Sequence, residues 1–164
     1  MHSVVCFHNP EEMNGYLSNW HLSDFVCDGV KFSSMEQYMM YKKAEVFDDK
    51  ETGEKILSTD NPGKIKSLGR SVKNYNETVW NGVRQIVVYE GLYAKFSQDE
   101  NLKAQLIATE ADILAECSGS DLIWGNGLSM TDEARFDMNK WRGQNLLGFA
   151  LMEVRNRLNK EGGR

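Results

Sequence analysis

An Asp-Gly step at Asp28-Gly29 joins two short β-prone runs, Phe25-Val26-Cys27 and Val30-Lys31-Phe32, and predicts a hairpin. From Ser33 onward the apolar residues follow a helical period instead, with cap and breaker residues between the periodic stretches. The pattern predicts an α+β fold, mostly helical, around a small sheet. Helices are expected from the Ser33 region to about Phe47, from Pro62 to about Gly69, from Glu77 to about Phe96, from Asp99 to Ala108 and from Asn145 to Leu158. In the third of these Asn76 is the cap, and Trp80, Val83, Val87 and Ala94 set the period. In the last, Leu147, Ala150, Leu151, Val154 and Leu158 should face inward, with Glu153 and Arg157 paired outside. Val4 to Phe7, Ile113-Leu114 and Leu122-Ile123-Trp124 are further β-prone pieces.

A chain of 164 residues suits one domain and can bury a core without disulfides or a structural metal. Cys6, Cys27 and Cys117 are far apart, odd in number and without zinc-site spacing, so reduced thiols in a cytoplasm are expected, with no metal and no cofactor. The N-terminus lacks a basic segment followed by an apolar run, and no apolar stretch is long enough to cross a bilayer, so neither secretion nor a membrane partner is expected. With 24 acidic against 19 basic residues the formal charge is −5, which argues against broad, non-specific binding to nucleic acid. The densest basic cluster, Lys64, Lys66, Arg70 and Lys73, reads as a solvated helical face. Nothing in the pattern fixes an oligomeric state.

The run from Ser33 to Ala44 places Glu36 and Lys43 seven residues apart on one helix. At roughly 3.6 residues per turn the two return to nearly the same face. An acid beside an amine is equipment for attacking a sugar carbon. Glu36 equally suits the last position of a Ser33 to Glu36 capping box, and Lys43 a solvated helix surface. The familiar phosphate-loop, nucleophile-elbow and zinc-protease motifs are missing, and Gly125-x-Gly127 lacks the third glycine of a dinucleotide fingerprint.

The C-terminal third carries the specific signature. Trp124-Gly125-Asn126-Gly127-Leu128, then Asp132, then Trp141-Arg142-Gly143-Gln144-Asn145-Leu146-Leu147-Gly148 and Met152-Glu153-Val154-Arg155 resemble the motifs of the NADAR, or YbiA-like, superfamily. Leu17-Ser18-Asn19-Trp20, Ser34-Met35-Glu36-Gln37-Tyr38 with Lys43-Ala44, Leu68-Gly69-Arg70, Trp80 with Arg84, and Ala94-Lys95-Phe96-Ser97-Gln98 match further landmarks in order, so the resemblance covers almost the whole chain.

That resemblance implies hydrolysis of the bond between ribose C1 and an exocyclic amine of a base. The substrate it implies is either ADP-ribosylated guanine, as a small molecule or carried on nucleic acid, or a phosphoribosylamino-pyrimidine intermediate of riboflavin synthesis. The Glu36-Gln37-Tyr38-Met39-Met40 helix is closer to the branch written E-Q-Y/W-M-M, which favours removal of ADP-ribose. A module that grips an ADP-ribose-like ligand without cleaving it is the rival from another class. In the catalytic reading Glu36 is the acid/base, Lys43 the amine that captures a ring-opened sugar as an imine, and Asp132 the group that orients water or stabilises charge at C1. A neutral Lys43 requires its pKa to fall from about 10.4 towards about 7, on the order of 4 to 5 kcal/mol, through burial or a nearby cation such as Lys95. Trp80 and Trp124 are candidate walls for a flat base, Arg142 and the backbone from Gly143 to Asn145 a candidate phosphate site, and Asn19 a contact to ribose or phosphate. Core packing competes for Trp80, a turn or cap for Asp132, and an N-cap for Asn145.

Overall fold

The computed structural model describes residues 2–163, which form six α-helices and four short strands. The chain divides into two compact units: one ends at His21 and resumes at Phe96, and the other is Leu22–Lys95.

In the first unit, β1 (Val4–Phe7) pairs in parallel with β4 (Ile113–Glu116), Val4 opposite Ile113 and Phe7 opposite Glu116. Helices α5 (Glu100–Ile107) and α6 (Leu146–Gly162) pack together, and α6 lies on β4. Asp99 caps α5 through the amides of Asn101 and Leu102. Leu147, Leu151, Val154 and Leu158 are buried on one stripe of α6. The exposed pair on this helix is Arg157 with Glu161, at 3.0 Å, in place of the expected Glu153 with Arg157. Arg155 of the Met-Glu-Val-Arg motif is buried, and its guanidinium donates to Thr109 Oγ1 at 2.7 Å and to the Asp112 carbonyl at 2.9 Å, tying α6 to the turn before β4.

In the second unit, β2 (Phe25–Cys27) and β3 (Val30–Phe32) form the expected antiparallel hairpin. Asp28 and Gly29 have φ of 51° and 77°, as a two-residue turn with positive φ at both positions requires. Helix α1 (Met35–Val46) packs against α2 (Lys50–Leu57) and α3 (Pro62–Arg70), and α4 runs from Glu77 to Gln98. Phe25, Phe32 and Tyr38 form an aromatic cluster with centroids 5.1 to 5.9 Å apart, fixing the hairpin on α1. Such pairs add about 0.5 to 1.5 kcal/mol each beyond their area burial.

Helix α2 is absent from the periodic pattern. Its eight residues hold only Ile56 and Leu57 as large apolar side chains, and it forms because buried Asp49 caps it, accepting from Thr52 N while its other oxygen accepts from Lys73 N. The inward stripe of α4 is Trp80, Val88, Gly91, Leu92 and Lys95, with Val83 and Val87 at its margin. Leu122-Ile123-Trp124 is not a strand. Asp121 Oδ1 accepts from the amides of Ile123 and Trp124 and bends the chain, and the carbonyls of 122 to 125 point at the start of α6. Among the described residues no helix is long and apolar enough to cross a membrane.

Candidate active site

The cap of α1 sits one residue later than the sequence suggests. The N-cap is Ser34, whose Oγ accepts from Gln37 N at 3.1 Å, so the expected Ser33 to Glu36 box is displaced by one residue. Gln37 reaches back to the residue before the cap: Oε1 accepts from Ser33 N at 2.7 Å and from Ser33 Oγ at 3.1 Å. Its Nε2 donates to the Ile56 and Thr59 carbonyls, joining the start of α1 to the end of α2. Glu36 is therefore one position short of the capping position, and it is 5% exposed. A buried carboxylate is a candidate for acid/base work.

Two turns on, Lys43 is half-buried, with Nζ donating to the Gly69 carbonyl at 2.8 Å and standing 4.4 Å over the Tyr75 ring. Burial pushes its pKa below the usual lysine range, and the Glu36 charge opposes that shift. Lys42, on the next face, is occupied by Asp28 and Glu45 at 3.3 and 2.9 Å. Glu36 and Lys43 lie two turns apart on α1, and the Glu36 charge acts on the Lys43 amine.

Lys95 lies at the inner stripe of α4, 1% exposed, and burial lowers its pKa to about 7. Trp80, four turns earlier on the same helix, is buried among the core residues rather than open as a wall.

In the first unit the candidates divide. Asn19 is 7% exposed, and its Oδ1 has no hydrogen-bond partner among the described residues, a polar group left ready for a donor. Asp132 is half-buried and caps a short 3-10 turn, Glu133–Phe136, through Ala134 N at 2.9 Å; its own carbonyl accepts from Arg135 Nη1. Trp124 is half-buried and Arg142 exposed.

The phosphate site expected at Gly143 to Asn145 is occupied by the chain itself. The amides of Arg142 and Gly143 donate to the Asn126 carbonyl, and those of Gln144, Asn145, Leu146 and Leu147 to the carbonyls of Leu122, Gly125, Ile123 and Trp124. A Cβ at position 143 would run into Gly125 O and Gly127 N, so these glycines admit the protein's own backbone where a ligand was expected. Asn145, fully buried at φ 52°, makes no side-chain cap and ties α6 to β4: Nδ2 donates to Leu114 O at 2.9 Å and Oδ1 accepts from Glu116 N at 3.0 Å. Arg142 keeps only its side chain for an anion. Among the described residues no group of three His, Cys, Asp or Glu is placed to hold a metal ion.

Fold and site define a small α+β enzyme that carries a buried acid and a burial-tuned amine on one helix. The chain belongs to the NADAR family, whose NADAR domain matches residues 6–159. It is 39% identical over 146 residues to N-glycosidase R617 of Acanthamoeba polyphaga mimivirus, covering 89% of this chain and 82% of that protein. N-glycosidase YbiA of Escherichia coli (strain K12) is 28% identical over 156 residues, 95% of this chain and 89% of YbiA. The NMR structure of E. coli YbiA superposes with a TM-score of 0.81 at 28% identity, covering 99% of this chain and 89% of that one. The riboflavin biosynthesis protein VVA0006 of Vibrio vulnificus (strain YJ016) is 30% identical over 158 residues; these are 96% of this chain and 39% of that protein.

Proposed function

We propose that this chain is an N-glycosidase that breaks the bond between ribose C1 and an exocyclic base amine, and that its substrate is ADP-ribosylated guanine. The reaction class is that of its N-glycosidase relatives, R617 and YbiA. The observation that carries the reading is the pair Glu36 and Lys43: a buried carboxylate, and an amine whose pKa burial pulls down against the Glu36 charge, on one helix.

The leaving nitrogen needs a proton, which Glu36 supplies and recovers when water attacks. If the ribose opens, neutral Lys43 captures C1 as an imine; if it stays closed, positive charge builds at C1 and a carboxylate such as Asp132 stabilises it. Asn19, with its unpartnered Oδ1, is the proposed ribose contact, and the Arg142 side chain the proposed phosphate contact. The resemblance of Glu36-Gln37-Tyr38-Met39-Met40 to the branch written E-Q-Y/W-M-M supports guanine over the pyrimidine. The similarity to VVA0006 supports the second reading, a phosphoribosylamino-pyrimidine intermediate.

The test is product release from ADP-ribosylated guanosine and from the phosphoribosylamino-pyrimidine, side by side, with and without borohydride, in wild type, Glu36→Gln, Lys43→Ala and Asp132→Asn. Cleavage of the guanosine adduct, lost in the variants and trapped on Lys43, is the expected result. Cleavage of the pyrimidine alone moves the substrate, and tight binding without cleavage of either turns the protein into a binding module.

A further inference from the structure

Two groups from different elements meet the Lys43 nitrogen, and a third side chain braces one of them. Gly69, whose carbonyl accepts from Nζ, is the penultimate residue of α3, so that carbonyl belongs to the helix end that lacks intrahelical donors and carries the negative end of the macrodipole. The Tyr75 ring lies beneath the same nitrogen, on the segment that leads into α4. Phe47, the C-cap of α1, braces that ring edge-on, with centroids 5.4 Å apart and planes at 67°.

We propose that Tyr75 is a positioning residue for Lys43, its ring face holding the side chain both as the resting ammonium and as the iminium formed on capture of C1. This rests on the reading of Lys43 as the amine of an N-glycosidase. In that step neutral Nζ donates its electron pair to C1 of the ring-opened sugar, which is then the protonated imine of the base. Glu36 gives a proton to the base nitrogen and takes one from Nζ, the bond from C1 to the base nitrogen breaks with its pair going to the base, and an Nζ=C1 iminium remains. Water adds to C1, its proton passes to Nζ, and Lys43 leaves as the amine. The resting ammonium and the iminium carry their charge at the same nitrogen, and an aromatic face attracts a cation through its quadrupole. Glu36 on the same helix and the Gly69 carbonyl on α3 favour the charged form as well, while burial opposes it. Tyr75 is 45% exposed, so its removal takes little from the core.

The experiment follows the rate at which trinitrobenzenesulfonate labels Lys43, read by peptide mass, in wild type, Tyr75→Phe and Tyr75→Leu, alongside kcat and KM on the adduct. In Tyr75→Leu the labelling should rise about two- to fivefold, the factor expected for an exposed cation–π contact. Its kcat should fall with KM little changed, and Tyr75→Phe should match wild type in both. Equal labelling of Lys43 in wild type and Tyr75→Leu overturns the hold, whatever the activity. Faster labelling with unchanged kcat overturns the positioning role. A wild-type protein that cleaves neither adduct overturns the functional reading instead, and the labelling still decides whether Tyr75 holds Lys43.

Discussion

Burial sets the charge state of Lys95, and this has a measurable sign. Its folded pKa is about 7 against an ordinary value of 10.5, so between those two the unfolded chain binds more protons. Stability contributed through Lys95 therefore rises with pH across that window, and below it the full cost of a buried ammonium is present. From about pH 7 to about pH 9 the gain should be on the order of 2 kcal/mol. Urea unfolding of wild type and Lys95→Met at both pH values checks it: the stability advantage of the variant should shrink as pH rises, and a constant difference would refute it. Asn19 offers the opposite signature. A buried acceptor without a partner costs stability, so Asn19→Leu should leave the fold unchanged or firmer by about 1 kcal/mol while raising KM. Loss of stability together with activity would mean that Asn19 is a core residue and not a contact.

At the scale of elements, the start of α1 decides where Glu36 points. Ser34→Ala removes the cap and should destabilise by about 1 kcal/mol, more than Ser33→Ala, in thermal melts. Equal effects would restore the box at Ser33. Gly91 sits where α4 meets α1: a Cβ there would overlap the Tyr38 ring and approach the Met35 Cε at 2.9 Å. Replacing a helical glycine by alanine normally stabilises by about 1 kcal/mol, and here the sign should invert, with Gly91→Ala destabilising by about 1 to 3 kcal/mol. These details also mark what the sequence can reveal. The hairpin and α1 were legible because an Asp-Gly turn and a serine cap before a helical run are local rules. The one-residue shift of the cap was not, because adjacent Ser33 and Ser34 with adjacent Glu36 and Gln37 satisfy the same pattern twice, and Gln37 is selected by its reach to Ile56 and Thr59 on another element. Leu122 to Trp124 read as a strand from propensity, yet its carbonyls are taken by α6, a contact no local window contains. Tyr75 carried no signal beyond being an aromatic in a polar turn; only the packing of α3 and Phe47 around it gives it a role.

The charge of the whole molecule bears on how an adduct carried on DNA or RNA would be recognised. Affinity for a polymer backbone comes from releasing counterions, and its dependence on salt counts the phosphates neutralised. A chain with formal charge −5 has little to neutralise them with. Its basic cluster on α3 and the following turn, Lys64, Lys66, Arg70 and Lys73, is exposed, and Lys73 is already engaged by Glu51 at 2.9 Å. If the proposed substrate is right, recognition comes from the ADP-ribosyl group and the base to which it is joined, and a modified mononucleotide should bind nearly as well as a modified oligonucleotide. The measurement is KM for an ADP-ribosylated guanine in a short single strand, from about 50 to about 200 mM salt, with a slope equivalent to roughly two phosphates or fewer expected. Lys64→Glu with Lys66→Glu should leave both the slope and KM unchanged. A slope equivalent to five or more phosphates, abolished by that double substitution, would make the α3 surface a backbone-binding face and nucleic acid the preferred carrier of the substrate.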